Sequence, residues 1–294
     1  MSTHDVQRRD FLKYGALGLT GGAALAASGV LNAKEAAAQA AEGSVLRRVI
    51  DRGNLICGTG STNAPWHFEN EQGELDGMDI AMAKILAKGL FEDENAVEFV
   101  KQAPDARIPN IVTGKVDVVI QFMTINPHRA QLVAFSRPYY IEGAALLTSV
   151  KSKYKTYEEL MKAGSDVTAS VLQNVDAELL VHTALPEAKP MLLDTQANVI
   201  QALESGRSDT AVVDLSTVRW LAARNPDRYV DAGHAYYPML YGAAVTQGDP
   251  DWLKYVDTVF NVSMFGHLFQ QYAEPFEKYF GQTPPTPTPG FPGM

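Results

Sequence analysis

Arg129 stands in MTINPHRAQLVAFSRPYY, the stretch from Met123 to Tyr140, where its charge has no evident local use. Asn126 predicts a helix N-cap and Pro127 the first helical position, so Arg129 falls in the first turn. That turn is the positive end of the helix dipole, and a cation there costs roughly 0.3–1 kcal/mol. A local rule broken without local gain marks a candidate functional site. Asp214 closes the apolar run TAVVD, beyond the carboxyl end of a strand, where α/β sheets hold their ligands. Other reactive patterns are missing from the sequence. GTGSTN falls short of the dinucleotide fingerprint because Asn63 replaces its last glycine, and Pro65 follows where a helix should begin. There is no G-x-S-x-G elbow, and the 6 histidines lie at no metal-ligand spacing. These residues predict no catalytic constellation, no metal and no cofactor. Cys57, the single cysteine, lies in the strand pattern NLICGTG; it excludes a disulfide within the chain and reads as a buried, inert thiol.

The elements that must position Arg129 and Asp214 alternate in type. VLRRVIDRG predicts a short helix closed by Gly53, NLICGTG a strand, and MDIAMAKILAKGLF a helix capped by Asp79. AVEFVKQ reads as a strand, PDARIPNIVTGKV as a helix ending near Gly114, and VDVVIQFM and AALLTSV as strands. A second unit follows in DVTASVLQ, DAELLVHTAL, ANVIQALESG, DTAVVD and STVRWLAARN: strand, helix, helix, strand, helix. YGAAVTQ predicts one more strand, and DPDWLKYVDTVFNVSMFG and HLFQQYAEPFEKYFG two helices. This order predicts α/β units with sheets covered on both faces. Two such units of similar size suggest a cleft between them, a common home for small-molecule sites.

The chain has 294 residues, 46% of them hydrophobic, enough for one or two domains with real cores. Its net charge of −9 gives no electrostatic footprint for nucleic acid. Residues 1–40 carry Arg8 and Arg9, then an apolar Gly- and Ala-rich run, then AQA. This segment resembles a twin-arginine export signal cleaved after Ala40, and it predicts a periplasmic destination. The end, 282–294, QTPPTPTPGFPGM, predicts an extended, flexible tail.

Several motifs together resemble family 3 of the bacterial solute-binding proteins, the periplasmic amino-acid receptors of ABC importers. They are GTGSTNAPWHFENEQGELDGMDIAMAKILA, RIPNIVTGKVDVVI, MTINPHRAQLVAFSRPYY and ALESGRSDTAVVD, in the family's order, within a match from about Leu46 to Gly281. The resemblance implies an α/β, two-lobed periplasmic-binding-protein fold of type II, with two hinge strands and the ligand cleft between lobes. Lobe 1 would comprise 44–144 and 239–281, and lobe 2 145–238, with hinges near Gly143–Leu147 and Pro238–Gly242. It implies that Arg129 pairs with the α-carboxylate of an amino acid, that Thr124 contacts the ligand, and that Asp214 accepts the α-ammonium. Arginine suits the first role because its planar fork donates two parallel hydrogen bonds. Asn63, Trp66, Gln121 and Phe122 would line the side-chain pocket. The partners implied are a small-molecule ligand and an inner-membrane ABC permease, with the receptor a monomer.

Plainer readings stay open beside these roles. Arg129 can serve a surface ion pair, Asp214 can cap the helix that follows, Thr124 can fill a strand, and Trp66 can pack a core. The chain also departs from the family pattern. Where lobe 2 usually offers Q-G-T-(T/S) amides to the carboxylate, this chain has QNVDAE, placing Val175 and a negative Asp176 there. Asp176 either points away, caps the next helix, or marks a cationic ligand. Gly60 stands where basic-amino-acid receptors often carry Asp. Two rival functions share the fold: a cyclohexadienyl dehydratase-like enzyme with Glu178 as its acid or base, and a receptor that feeds a membrane sensor.

Overall fold

A computed structural model describes residues 43–290. The expected export signal at 1–40 lies outside the described residues, as does the end of the proline-rich tail beyond 290. From Val49 onward the chain forms one compact unit, which holds the sheets and cavities described below.

The first half begins with helix α1 (Val45–Arg52), ended by Gly53 at φ 79°. Strand β1 (Leu55–Thr59) follows, then a small antiparallel sheet of β2 (Thr62–Asn63), β3 (His67–Glu69) and β4 (Leu75–Asp76). Helix α2 (Met78–Phe91) is N-capped by Gly77, not by Asp79 as expected. Gly77 sits at φ 126°, and a Cβ there would lie 2.2 Å from the Trp66 carbonyl oxygen, so only glycine fits. Asp79 falls inside the first turn, with its carboxylate turned into the core.

Strand β5 (Val97–Lys101) leads through a 3₁₀ turn, Pro104–Ala106, into α3 (Arg107–Val112). The strand expected from VDVVIQFM shrinks to β6 (Val118–Val119), because Phe122 takes φ 35° and turns the chain. Helix α4 (Pro127–Ala130) and β7 (Ala134–Phe135) complete this part.

The chain then enters a second sheet through the long β8 (Tyr140–Ser149). It adds α5 (Tyr157–Ala163), β9 (Thr168–Leu172), α6 (Ala177–Ala184), β10 (Lys189–Leu193), α7 (Gln196–Glu204), β11 (Thr210–Asp214) and α8 (Leu215–Arg224). The return runs along β12 (Tyr229–Tyr241), which pairs antiparallel with β8 from Tyr229↔Ser149 to Tyr241↔Tyr140. Then come β13 (Ala244–Val245), α9 (Pro250–Phe265) and α10 (Phe269–Phe280).

The first sheet has the order β5-β1-β6-β13-β7 and the second β10-β9-β11-β8-β12. In each, parallel strands dominate one side and antiparallel ones the other. α5, β10 and β12 were not expected from sequence. β12 hides because Gly233 and Pro238 interrupt its pattern and its pairing shifts register twice, after Asp231 and after Tyr236.

Each sheet has its own apolar core. Ile111, Val119, Met123 and Val133 pack in the first, and Leu147, Val199, Leu203, Val213 and Val218 in the second. Cys57 is fully buried in β1, where burial pushes its thiol pKa up and away from reactivity.

Candidate functional site

The loops between β6 and α4, and those after β9 and β11, border one cavity of about 550 Å³. Arg129, Thr124, Phe122, Asp214 and Asp176 all line it, so five of the residues expected to bind ligand come together.

The local chain explains each placement. Asn126 caps α4, its Oδ1 accepting from the Arg129 backbone N–H at 2.9 Å. The helix is only four residues long, so the dipole penalty expected for Arg129 has almost no helix behind it. The Arg129 side chain folds back, and Nη1 donates to the Thr124 carbonyl oxygen at 2.9 Å. Thr124 bridges to Tyr241 at the end of β12 and donates weakly to Met239 Sδ at 3.7 Å.

Asp214 ends β11 and occupies the backbone N-cap position of α8, but its side chain makes no capping bond. Its Oδ2 is buried without a hydrogen-bond partner. Burial, then the charge of Glu142, pushes its carboxyl well above the usual range, and the Tyr241 hydroxyl offsets part of this. Asp214 pairs with Ala144 across the ladder, so Glu142, two residues along β8, shares its face. Glu142 is itself raised to about 7 by burial, against the hydrogen bonds it accepts from the Ser216 hydroxyl and the Gly143 amide.

Asp176 occupies the backbone N-cap position of α6, as the plainer expectation had it, but its side chain makes no capping bond. Its Oδ2 faces Arg129 Nη2 at 3.8 Å and accepts from Asn126 Nδ2 at 3.5 Å. Its backbone N–H, the donor expected to meet a carboxylate, is taken by Asn174 Oδ1 at 2.9 Å. Val175 is 82% exposed and does not line the cavity.

The remaining expected residues lie elsewhere. Asn63 and Gln121 line a second cavity of about 300 Å³, which shares Phe122, Leu172 and Gln196 with the first. Their amides are already engaged. Gln121 exchanges hydrogen bonds with Gln102, and Asn63 Oδ1 accepts from the Thr217 hydroxyl at 3.3 Å. Trp66 lines neither cavity. It is fully buried, packed edge-on against Tyr140 and Tyr241 with centroids 4.8 and 5.2 Å away, and its Nε1 donates to Ser216 Oγ at 2.8 Å. That places it where the chain passes between the two sheets. Gly60 lines the second cavity, and a Cβ there would lie 2.5 Å from His67 Cδ2. His67 is pinned to Asp79, so an aspartate at 60 would not fit.

Sequence reasoning missed Arg107, Tyr241 and the carboxylate Glu142. Only Arg107 left a signal: a charge at an apolar-periodic position beside Ile108 and Ile111. It also missed Asp79, whose Oδ2 accepts from the Phe122 N–H and from His67 Nδ1 at 2.8 Å each, and whose Oδ1 accepts from the Tyr139 hydroxyl at 2.9 Å. This buried carboxylate fixes the turn that carries Phe122.

Residues 55–282 match the model of a family described as bacterial extracellular solute-binding proteins, family 3. The ABC transporter glutamine-binding protein GlnH of Bacillus subtilis (strain 168) is 29% identical over 234 residues, 79% of this chain and 84% of that protein. The ABC transporter arginine-binding protein 1 of Escherichia coli (strain K12) is 28% identical, over 64% of this chain and 74% of that one. The crystal structure of the ancestral amino acid-binding protein AncCDT-1, a precursor of cyclohexadienyl dehydratase, superposes with a TM-score of 0.70 at 32% identity, covering 81% of this chain and 100% of that chain.

Proposed function

Because the chain belongs to family 3 of the bacterial extracellular solute-binding proteins, we propose that it captures a free amino acid or close analogue and delivers it to an ABC importer. One observation carries the ligand class: Arg129 and Asp214, from segments of different sheets, line the same cavity. The Arg129 fork receives the α-carboxylate, displacing Asp176, and Asp214 Oδ2 accepts the α-ammonium. Asp214 is held toward its protonated form, so the incoming ammonium takes the place of that proton. Thr124 supports the carboxylate end. The two lobes, 44–144 with 239–281 and 145–238, move as bodies about β8 and β12. The ligand favours the closed state because it touches both.

In this reading the protein is exported by the twin-arginine route, acts in the periplasm as a monomer and docks on an inner-membrane permease. Among the described residues, no helix is long and apolar enough to cross a membrane. The dehydratase reading asks Glu178 to meet the ligand. Glu178 is exposed in the first turn of α6 and does not line the cavity, which favours the receptor.

A thermal-shift screen against amino acids, amines and small dicarboxylates tests the proposal. A ligand at 100 times its dissociation constant adds roughly 2.7 kcal/mol of stability. At least one amino acid is expected to raise the midpoint. A screen in which amines do so and no amino acid does would overturn the zwitterion reading. Turnover of prephenate or arogenate that disappears in Glu178→Gln would overturn the receptor reading itself.

A further inference from the structure

Arg107 opens α3 with its side chain turned inward, and the residue is only 6% exposed. Its Nε donates to the Pro104 carbonyl oxygen at 2.7 Å and Nη1 to the Gln121 carbonyl oxygen at 3.1 Å. The guanidinium also lies 5.6 Å from the centroid of the Phe122 ring. These contacts orient the group, but they use only two of its five N–H donors and bring no negative charge.

Among the described residues no carboxylate stands within ion-pair distance of Arg107. Asp79, the acid whose field reaches it most, has both oxygens committed to Phe122, His67 and Tyr139. Burial, followed by the repulsion of Arg129, lowers the Arg107 pKa to about 10, which leaves it charged at neutral pH. Both arginines line the same cavity. Arg129 has Asp176 to face while the ligand is away, and Arg107 has no equivalent. A buried, oriented cation with spare donors and no counter-ion is costly unless an anion completes it.

We propose that Arg107 receives a second acidic group on the ligand, so that the preferred ligand is an amino acid with a carboxylate side chain, of the aspartate and glutamate class. The inference rests on the reading above, in which Arg129 takes the α-carboxylate and Asp214 the α-ammonium. The side-chain carboxylate then meets the guanidinium directly, with the Phe122 ring beneath. Lysine or arginine as ligand would bring a cation against Arg107, and a neutral amide would leave its charge unpaired.

Titration calorimetry of the protein with L-glutamate, L-aspartate, L-glutamine, L-asparagine and glutarate tests this. The wild type is expected to prefer an acid over its own amide by roughly 30-fold or more, the usual scale for a buried charge pair. Arg107→Gln is expected to bring that ratio close to one, through loss of acid binding. Arg107→Lys is expected to keep part of the preference. The wild-type ratio decides even if a variant fails to fold: amide binding as tight as acid binding overturns the proposal. An acid preference that survives intact in Arg107→Gln overturns it as well. Binding of glutarate without any amino acid sinks the zwitterion reading and leaves the two-carboxylate reading standing. No binding of any of the five overturns the acidic-ligand proposal, and the wider amino-acid screen then decides the reading on which it rests.

Discussion

Arg129 acts through three neighbours, and each bears on how a variant should behave. Its backbone N–H is capped by Asn126, its Nη1 holds the Thr124 carbonyl, and its Nη2 faces Asp176. Arg129→Ala keeps the first of these contacts and loses the others. The loss of one part-buried hydrogen bond predicts a drop of about 1 kcal/mol in ligand-free stability. On the proposed role of Arg129, ligand affinity should fall much further, by roughly 30-fold to several thousand-fold, because a ligand carboxylate would be left unpaired in the closed cleft. Arg129→Lys should also lose most of the affinity, since a point charge cannot reproduce the fork. Melting and ligand titration on the same preparations check this. A variant that is severely destabilised yet binds at wild-type strength would show that Arg129 is structural.

At the scale of elements, the wall of the cavity is held by a helix that does not line it. The first turn of α2 sends Asp79 into the core, where it collects donors from the β6–α4 loop, from β3 and from the segment before β8. Phe122 keeps its φ of 35° because this carboxylate holds its N–H. Burial keeps His67 neutral, with its pKa lowered, while the bond to Asp79 opposes that shift. Asp79→Ala would orphan three buried groups and should cost about 3 kcal/mol or more, at roughly 1–3 kcal/mol for each. Asp79→Asn retains an acceptor for the Phe122 amide and should cost less than half as much. Urea denaturation of the two variants is the check, and an alanine variant within 1 kcal/mol of wild type would remove Asp79 from this role.

For the molecule as a whole, the fold is the two-lobed, type II periplasmic-binding-protein fold of its family. Its two sheets are joined through β8 and β12, and the buried carboxylate Glu142 sits at that junction. Its pKa is raised from an ordinary 4.5 to about 7 by burial, against the bonds from Ser216 and Gly143. Below about pH 4.5 the folded and unfolded chains both hold this proton. Between about 4.5 and 7 only the folded chain holds it, so the Glu142 contribution to stability falls as pH rises and levels off above 7. The total is on the order of 3 kcal/mol. Glu142→Gln removes the titration and leaves an acceptor for Ser216. It should therefore gain stability over wild type at pH 8 and show no such gain near pH 4.5. Denaturation curves at both pH values test this, and equal differences at the two would rule out Glu142 as the titrating group.

The sequence alone determined most of the helical stretches, α5 excepted, because apolar spacing and punctuation by Gly53, Gly114 and Pro127 act within about ten residues. It also determined the family, through motifs spread along most of the chain, and with it the candidacy of Arg129 and Asp214. Tertiary structure decided which charges share a space. Arg107 and Asp176 are 69 residues apart in number, yet they line one cavity because β5 and β9 lead to loops that meet there. It also withdrew Trp66 to the junction of the sheets and spent the amides of Asn63 and Gln121 on neighbours. β12 took its identity from β8, since a strand interrupted by Gly233 and Pro238 is recognisable only by the partner that pairs with it. Propensity and capping are local free energies and can be read locally. Burial, counter-charge and strand pairing depend on residues brought from far along the chain, and they exist only once it has folded.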